Sequence, residues 1–156
     1  MLHLRIRVAA LHALAKLNRD AHLETCALAL CDASGKVARE AVLALSKKAN
    51  SIGWRRLWKI YDNCPHPTTK RCALFLIARI SKWGSINLLI QSLMNENDFC
   101  IELRRRYVAR WFPRYNRTVV TPTPEQLSRL NNTLNRCNLL LDPGTQHQLE
   151  SLLKSF

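Results

Sequence analysis

Arg7, Arg39, Arg71 and Arg104 recur at intervals of 32, 32 and 33 residues, and the first three open runs of small and aliphatic residues: RVAALHAL, REAVLAL and RCALFLIA. A second basic row, Lys16, Lys47, Arg79 and Arg110, follows with spacings of 31, 32 and 31. This periodicity limits the folds open to the chain. A unit of about 30 residues has room for one helix pair, and one pair cannot bury its own apolar face. It has to stack on the next pair, so the period predicts a helical solenoid.

Composition agrees with helix. Only four glycines occur in 156 residues, and the runs rich in alanine and leucine favour helix over strand. The uninterrupted apolar stretches are short, Cys72–Ala78 being one of seven residues. A membrane-spanning helix needs roughly 20 predominantly apolar residues, so none is predicted.

The period and the hydrophobic spacing place the elements. A helix is predicted over Leu2–Leu17, broken at Asn18–Ala21, and a second over about His22–Cys31. Asp32–Gly35 forms a turn, residues 36–49 a helix, and Asn50–Gly53 a break before a helix carrying Trp54, Leu57, Trp58 and Tyr61. Prolines 65 and 67 end that helix. Thr68 or Thr69 is expected to cap a helix reaching Trp83, closed by Gly84. The next pair covers Ile86–Met94 and Phe99–Phe112, with Asp98 as cap and Pro113 as stop. Residues 113–122 form a linker. Thr123-Pro-Glu-Gln126 carries the signature of a capping box ahead of leucines at steps of three and four, and Asp142-Pro-Gly144 reads as a turn before a short last helix.

Short turns containing Asp or Asn precede basic, alanine-rich second helices: ASGKVAREAVLAL after Asp32 and FCIELRRRYVARW after Asp98. WGSINLLIQSL, from Trp83, looks like a first helix. In these features residues 4–112 resemble the HEAT-repeat family of the armadillo-like group. The resemblance implies an all-α fold, a right-handed superhelix of antiparallel helix pairs, with residues 123–156 packed on its end as a helical hairpin cap. The first helix aligns with the second member of each later pair. The chain is therefore expected to be the C-terminal part of a longer solenoid, the alternative being that the first helix caps the array by itself.

Charge gives the sign of the partner. Lys and Arg number 24 against 11 Asp and Glu, a net charge of +13. Between Ala41 and Asn95 the only acid is Asp62, and between Leu103 and Pro124 there is none. Such an excess suits an anionic ligand. The resemblance implies that second helices line a concave face, which would carry Lys47, Arg79 and Arg110. Lys70, Arg55, Arg56, Arg105 and Arg106 are further candidates for the basic surface. Arg39, Arg71 and Arg104, with Asp32 and Asp98, are expected to form a structural ladder of ion pairs between repeats. Trp54 and Trp58, four apart on one helix face, are expected to pack between layers.

Signals of chemistry are sparse. No His-Glu dipeptide, glycine-rich phosphate loop or nucleophile elbow occurs, and no metal or cofactor is expected. The six cysteines show no paired spacing and no C-x-x-C, which points to a reducing compartment, the cytoplasm. The function expected is a non-catalytic scaffold binding an acidic protein or peptide through its basic concave surface. The alternative is nucleic-acid binding. HEAT-like alkylpurine DNA glycosylases combine such a surface with tryptophans and an acid, for which Asp62 stands near, although no motif here is specific to them.

Overall fold

The computed structural model describes residues 3–17, 20–94, 101–115, 120–137 and 140–156. All regular structure among them is helical: α1 (Leu4–Leu17), α2 (Leu23–Ala29), α3 (Gly35–Leu45), α4 (Ala49–Ile52), α5 (Trp54–Asn63), α6 (Pro67–Ile77), α7 (Lys82–Leu93), α8 (Ile101–Tyr115), α9 (Pro124–Cys137) and α10 (Pro143–Leu153). A 3-10 turn at Asp20–His22 leads into α2. None of these helices is long and apolar enough to cross a membrane. The helices gather into two compact units, residues 1–80 and 81–156. The division falls between α6 and α7.

In the first unit α3 lies between α1 and α6, with α2 against α3 and α5 against α6. The three central helices run parallel. Arg7 on α1 forms an ion pair with Asp32, just before α3, and His12 meets Glu40 one turn or more further along both helices at 2.6 Å. On the other side, Gly35 opens α3 beside Thr68 in the first turn of α6. A Cβ at Gly35 would stand 3.2 Å from the threonine methyl, so glycine permits the close approach. The Thr69 hydroxyl, buried in the same turn, donates to the Leu30 carbonyl at 2.9 Å and satisfies an acceptor left open past the end of α2. Positions 33 residues apart therefore face each other across α3 and α6.

The core follows from helical spacing. α3 buries Val37, Ala38, Ala41, Val42 and Leu45. α5 buries Leu57 and Tyr61, and its opposite face carries Arg55, Arg56 and Lys59. α6 is buried nearly all round, as suits a helix packed on two neighbours.

In the second unit α7 is the central helix, packed by α8 and α9. It buries Trp83, Ile86, Leu88, Leu89, Ile90 and Leu93. α8 faces inward with Arg104, Val108 and Trp111. The two tryptophan rings meet edge to face at 5.6 Å, and each indole N–H is satisfied, Trp83 by the Val120 carbonyl and Trp111 by the Lys82 carbonyl. α9 buries Leu130, Leu134 and Cys137, and Thr133 bonds Asn87 of α7 at 2.7 Å.

Several helix boundaries differ from the sequence reading. α6 begins at Pro67, whose missing N–H costs nothing in a first turn, so Thr69 is free to serve Leu30. It stops at Ile77, and Trp83 and Gly84 belong to α7. Asn50–Ile52 is not a plain break but part of the four-residue α4. Pro113 does not close α8, which continues to Tyr115: so near the end its lost donor removes only one bond. Asp142 caps α10, accepting the Thr145 N–H, and hydrogen bonding by the Thr145 side chain and then its backbone holds the carboxyl below the usual range. The capping box at α9 forms in both directions, Thr123 with Gln126. Asn18, the Asn95–Asp98 turn and Cys100 lie outside the described residues.

Gly53 separates α4 from α5 with φ +83° and ψ 142°, a region essentially restricted to glycine, and nothing stands within 4 Å of its Cβ position. Gly53→Ala should therefore destabilise the protein by about 1–3 kcal/mol through backbone strain alone. Thermal denaturation of the variant checks this. An unchanged melting temperature would mean that the α4–α5 corner relaxes.

Candidate ligand-binding groove

The first turns of α2 and α5 are tied by a bidentate pair between Glu24 and Arg56, 32 residues apart, and Cys31 and Cys64 follow the C-terminal ends of the same two helices. Between them and the loop after α5 opens a groove of about 840 Å³. Leu28, Ile60 and Pro65 give it apolar walls, Arg55, Arg56 and Lys59 its charge, and Cys31, Asn63, Cys64 and His66 complete it. No acid lines it among the described residues. Leu28 is 65% exposed.

Electrostatics divide the three cations. The Arg56 guanidinium holds the Glu24 carboxyl below its usual range, and Glu24 in turn raises Arg56. Arg55 lies over the Trp54 ring, 5.3 Å from its centroid, and Lys59 is exposed. Burial pushes the Cys31 thiol up, with the neighbouring Cys64 thiol adding to the effect and Arg56 opposing it.

The other residues singled out by the sequence are scattered. Lys47 and Arg79 are exposed, each two residues past the end of a central helix, α3 and α6. Cations there complement the helix dipole. Arg79 also stacks on Phe75 at 4.4 Å. In the second unit Arg105, Arg106 and Arg110 are exposed on α8, and Arg105 meets Glu102 at 3.2 Å. Lys70 does not belong to any surface: it is 4% exposed, with its ammonium 5.4 Å from the Tyr61 ring centroid. Its place on α6 turns it toward α5, where the ring face offers an electrostatic partner.

Among the ladder residues, Asp32 pairs with Arg7, while Arg39 bonds the Gly35 carbonyl of its own helix at 3.1 Å. Arg71 is exposed and Arg104 fully buried. Asp98 lies outside the described residues. Trp54 is 38% exposed and does not pack in the core, whereas Trp58 stacks on Tyr61 at 5.2 Å. Asp62 is exposed near the end of α5. No group of three or more His, Cys, Asp or Glu side chains converges among the described residues.

The groove was not visible from local sequence pattern, since its two walls come from residues 28–31 and 55–66. One signal could have found it: Glu24 with Arg56, and Cys31 with Cys64, are charge and thiol pairs at the repeat spacing. No protein-family model, curated protein or solved structure matches the chain.

Replacing a buried charge by an apolar side chain of similar shape is often neutral or favourable. Lys70→Met should keep stability within about 1 kcal/mol of the parent, or raise it. Lys70→Glu, which sets the opposite charge against the ring face, should cost more than about 3 kcal/mol. Urea titration of both variants tests the pair. A large loss in Lys70→Met would assign the ammonium a structural bond.

Proposed function

We propose that the chain is a HEAT-like helical-repeat scaffold, without catalytic activity of its own, that binds an acidic peptide segment of a partner protein. The packing of α3 on α6, where Gly35 meets Thr68 at 33 residues, and the pairing of α2 with α5, where Glu24 meets Arg56 at 32, support the repeat reading. The observation that carries the binding reading is the groove at α2 and α5: apolar walls, three cations and no lining acid, in a volume within the usual range for a bound ligand. An apolar side chain of the peptide would rest on Leu28 and Ile60, and its carboxylates would meet Arg55 and Lys59. Lys47 and Arg79 extend the positive potential of the same unit and steer association. Nucleic-acid binding is the second reading, favoured by one feature, the exposed Trp54 with Arg55 stacked over it.

A fluorescent peptide of glutamates around a central leucine is the probe, read by anisotropy at physiological salt. Each exposed ion pair is worth up to about 1 kcal/mol, so the double variant Arg55→Ala, Lys59→Ala should weaken binding about tenfold. Glu24→Gln should strengthen it about threefold, because it releases Arg56 for the peptide. Loss of binding in Glu24→Gln, or none in the double variant, would remove the groove as the site. Tighter binding of single-stranded DNA than of the peptide would favour the second reading.

A further inference from the structure

Cys31 and Cys64 are 33 residues apart and occupy matching places, just past the ends of α2 and α5. Glu24 and Arg56, 32 residues apart, meet on the same two helices, and Cys31 and Cys64 line the same groove, where each thiol acts on the other. Cys31 is exposed and Cys64 is 7% exposed. Cys26, Cys72 and Cys137 are buried. Among the described residues Cys31 is therefore the one exposed thiol, and Cys64 lines the same groove. Oxidation of a dithiol by peroxide needs an accessible attacking sulfur and a resolving one, and its rate follows the thiolate fraction, which burial lowers at Cys31.

We propose that Cys31 and Cys64 form a dithiol modification site whose substrate is hydrogen peroxide or a small organic hydroperoxide, and whose product is an intramolecular disulfide joining the ends of α2 and α5. The Cys31 thiolate attacks the peroxide: an S–O bond forms, the O–O bond breaks, and the leaving hydroxide, or alkoxide from an organic hydroperoxide, takes up the Cys31 proton as water or alcohol. The Cys64 sulfur then attacks the Cys31 sulfenic acid. The S–S bond forms, the S–O bond breaks, and water leaves with the Cys64 proton. Two thiols give up two electrons and peroxide accepts them. The bond would link the same two helices that Glu24 and Arg56 already hold, closing a long loop and restricting the unfolded chain. This inference rests on the thiol geometry and stands whether or not the groove takes an acidic peptide.

The test uses the full reduced chain, exposed to hydrogen peroxide, blocked with an alkylating agent and digested without reductant. Mass spectrometry should find the Cys31 and Cys64 peptides joined, and the oxidised protein should melt several degrees higher, an effect reversed by dithiothreitol. Cys31→Ser should remove both the link and the shift. Because Cys64 is buried, its variant is Cys64→Ala, checked for a parental circular-dichroism spectrum. Cys31 should then stop at sulfenic acid, trapped by dimedone. Cys31 oxidised beyond the sulfenic state in the parent with no link to Cys64, or joined to a different cysteine, would overturn the inference. The mapping of the parent chain decides it even if a variant fails to fold.

Discussion

Register between parallel helices governs the first unit. When α3 lies along α6 with Gly35 against Thr68, every residue of one turn is set beside the residue about one period further on. Three local interactions hold that register. The Gly35 contact needs the missing side chain, the Thr69 hydroxyl reaches the Leu30 carbonyl, and Arg7 reaches Asp32 from the preceding helix. A slip of α6 by one helical turn, about 5.4 Å, would break the first two together, and the third fixes α1 against α3. The outer helices inherit the alignment, so Glu24 meets Arg56 and Cys31 meets Cys64. The period is thus a spatial instruction as well as a count along the chain.

The same alignment distributes the charge. With 11 acids for 24 Lys and Arg, most cations cannot find a partner inside the molecule. The acids that pair do so close at hand: Asp32 with Arg7, Glu40 with His12, Glu24 with Arg56, Glu102 with Arg105 and Glu125 with Arg129. Exposed pairs of this kind add little to stability. What they decide is where positive potential remains, and Arg55 and Lys59 beside exposed Leu28 are one such place.

Much of the helical order was legible in the sequence, because hydrophobic spacing and proline act locally. The capping box at Thr123 and the start of α5 at Trp54 are examples. The errors arose where tertiary contact outweighed local signal. Gly84 reads as a helix end yet lies within α7, where the burial of Trp83 and Ile86 sustains the helix. Thr69 reads as a cap yet serves a carbonyl 39 residues away. Lys70 reads as a surface cation until α5 supplies Tyr61 opposite it. The groove itself has no local signature, since neither of its walls is unusual alone. Comparing each residue with the one a period later would have exposed it.

The central claim, that the stacked ends of α2 and α5 form a site for an acidic peptide, is tested most directly by nuclear magnetic resonance. Amide and methyl shifts of the isotope-labelled protein would be followed while the glutamate–leucine peptide is added. The account predicts that the largest changes fall on Leu28, Cys31, Ile60 and His66, with smaller ones at Lys47 and Arg79. Changes centred on α8 in the second unit, around Arg106 and Arg110, with the α2–α5 residues unmoved, would contradict it.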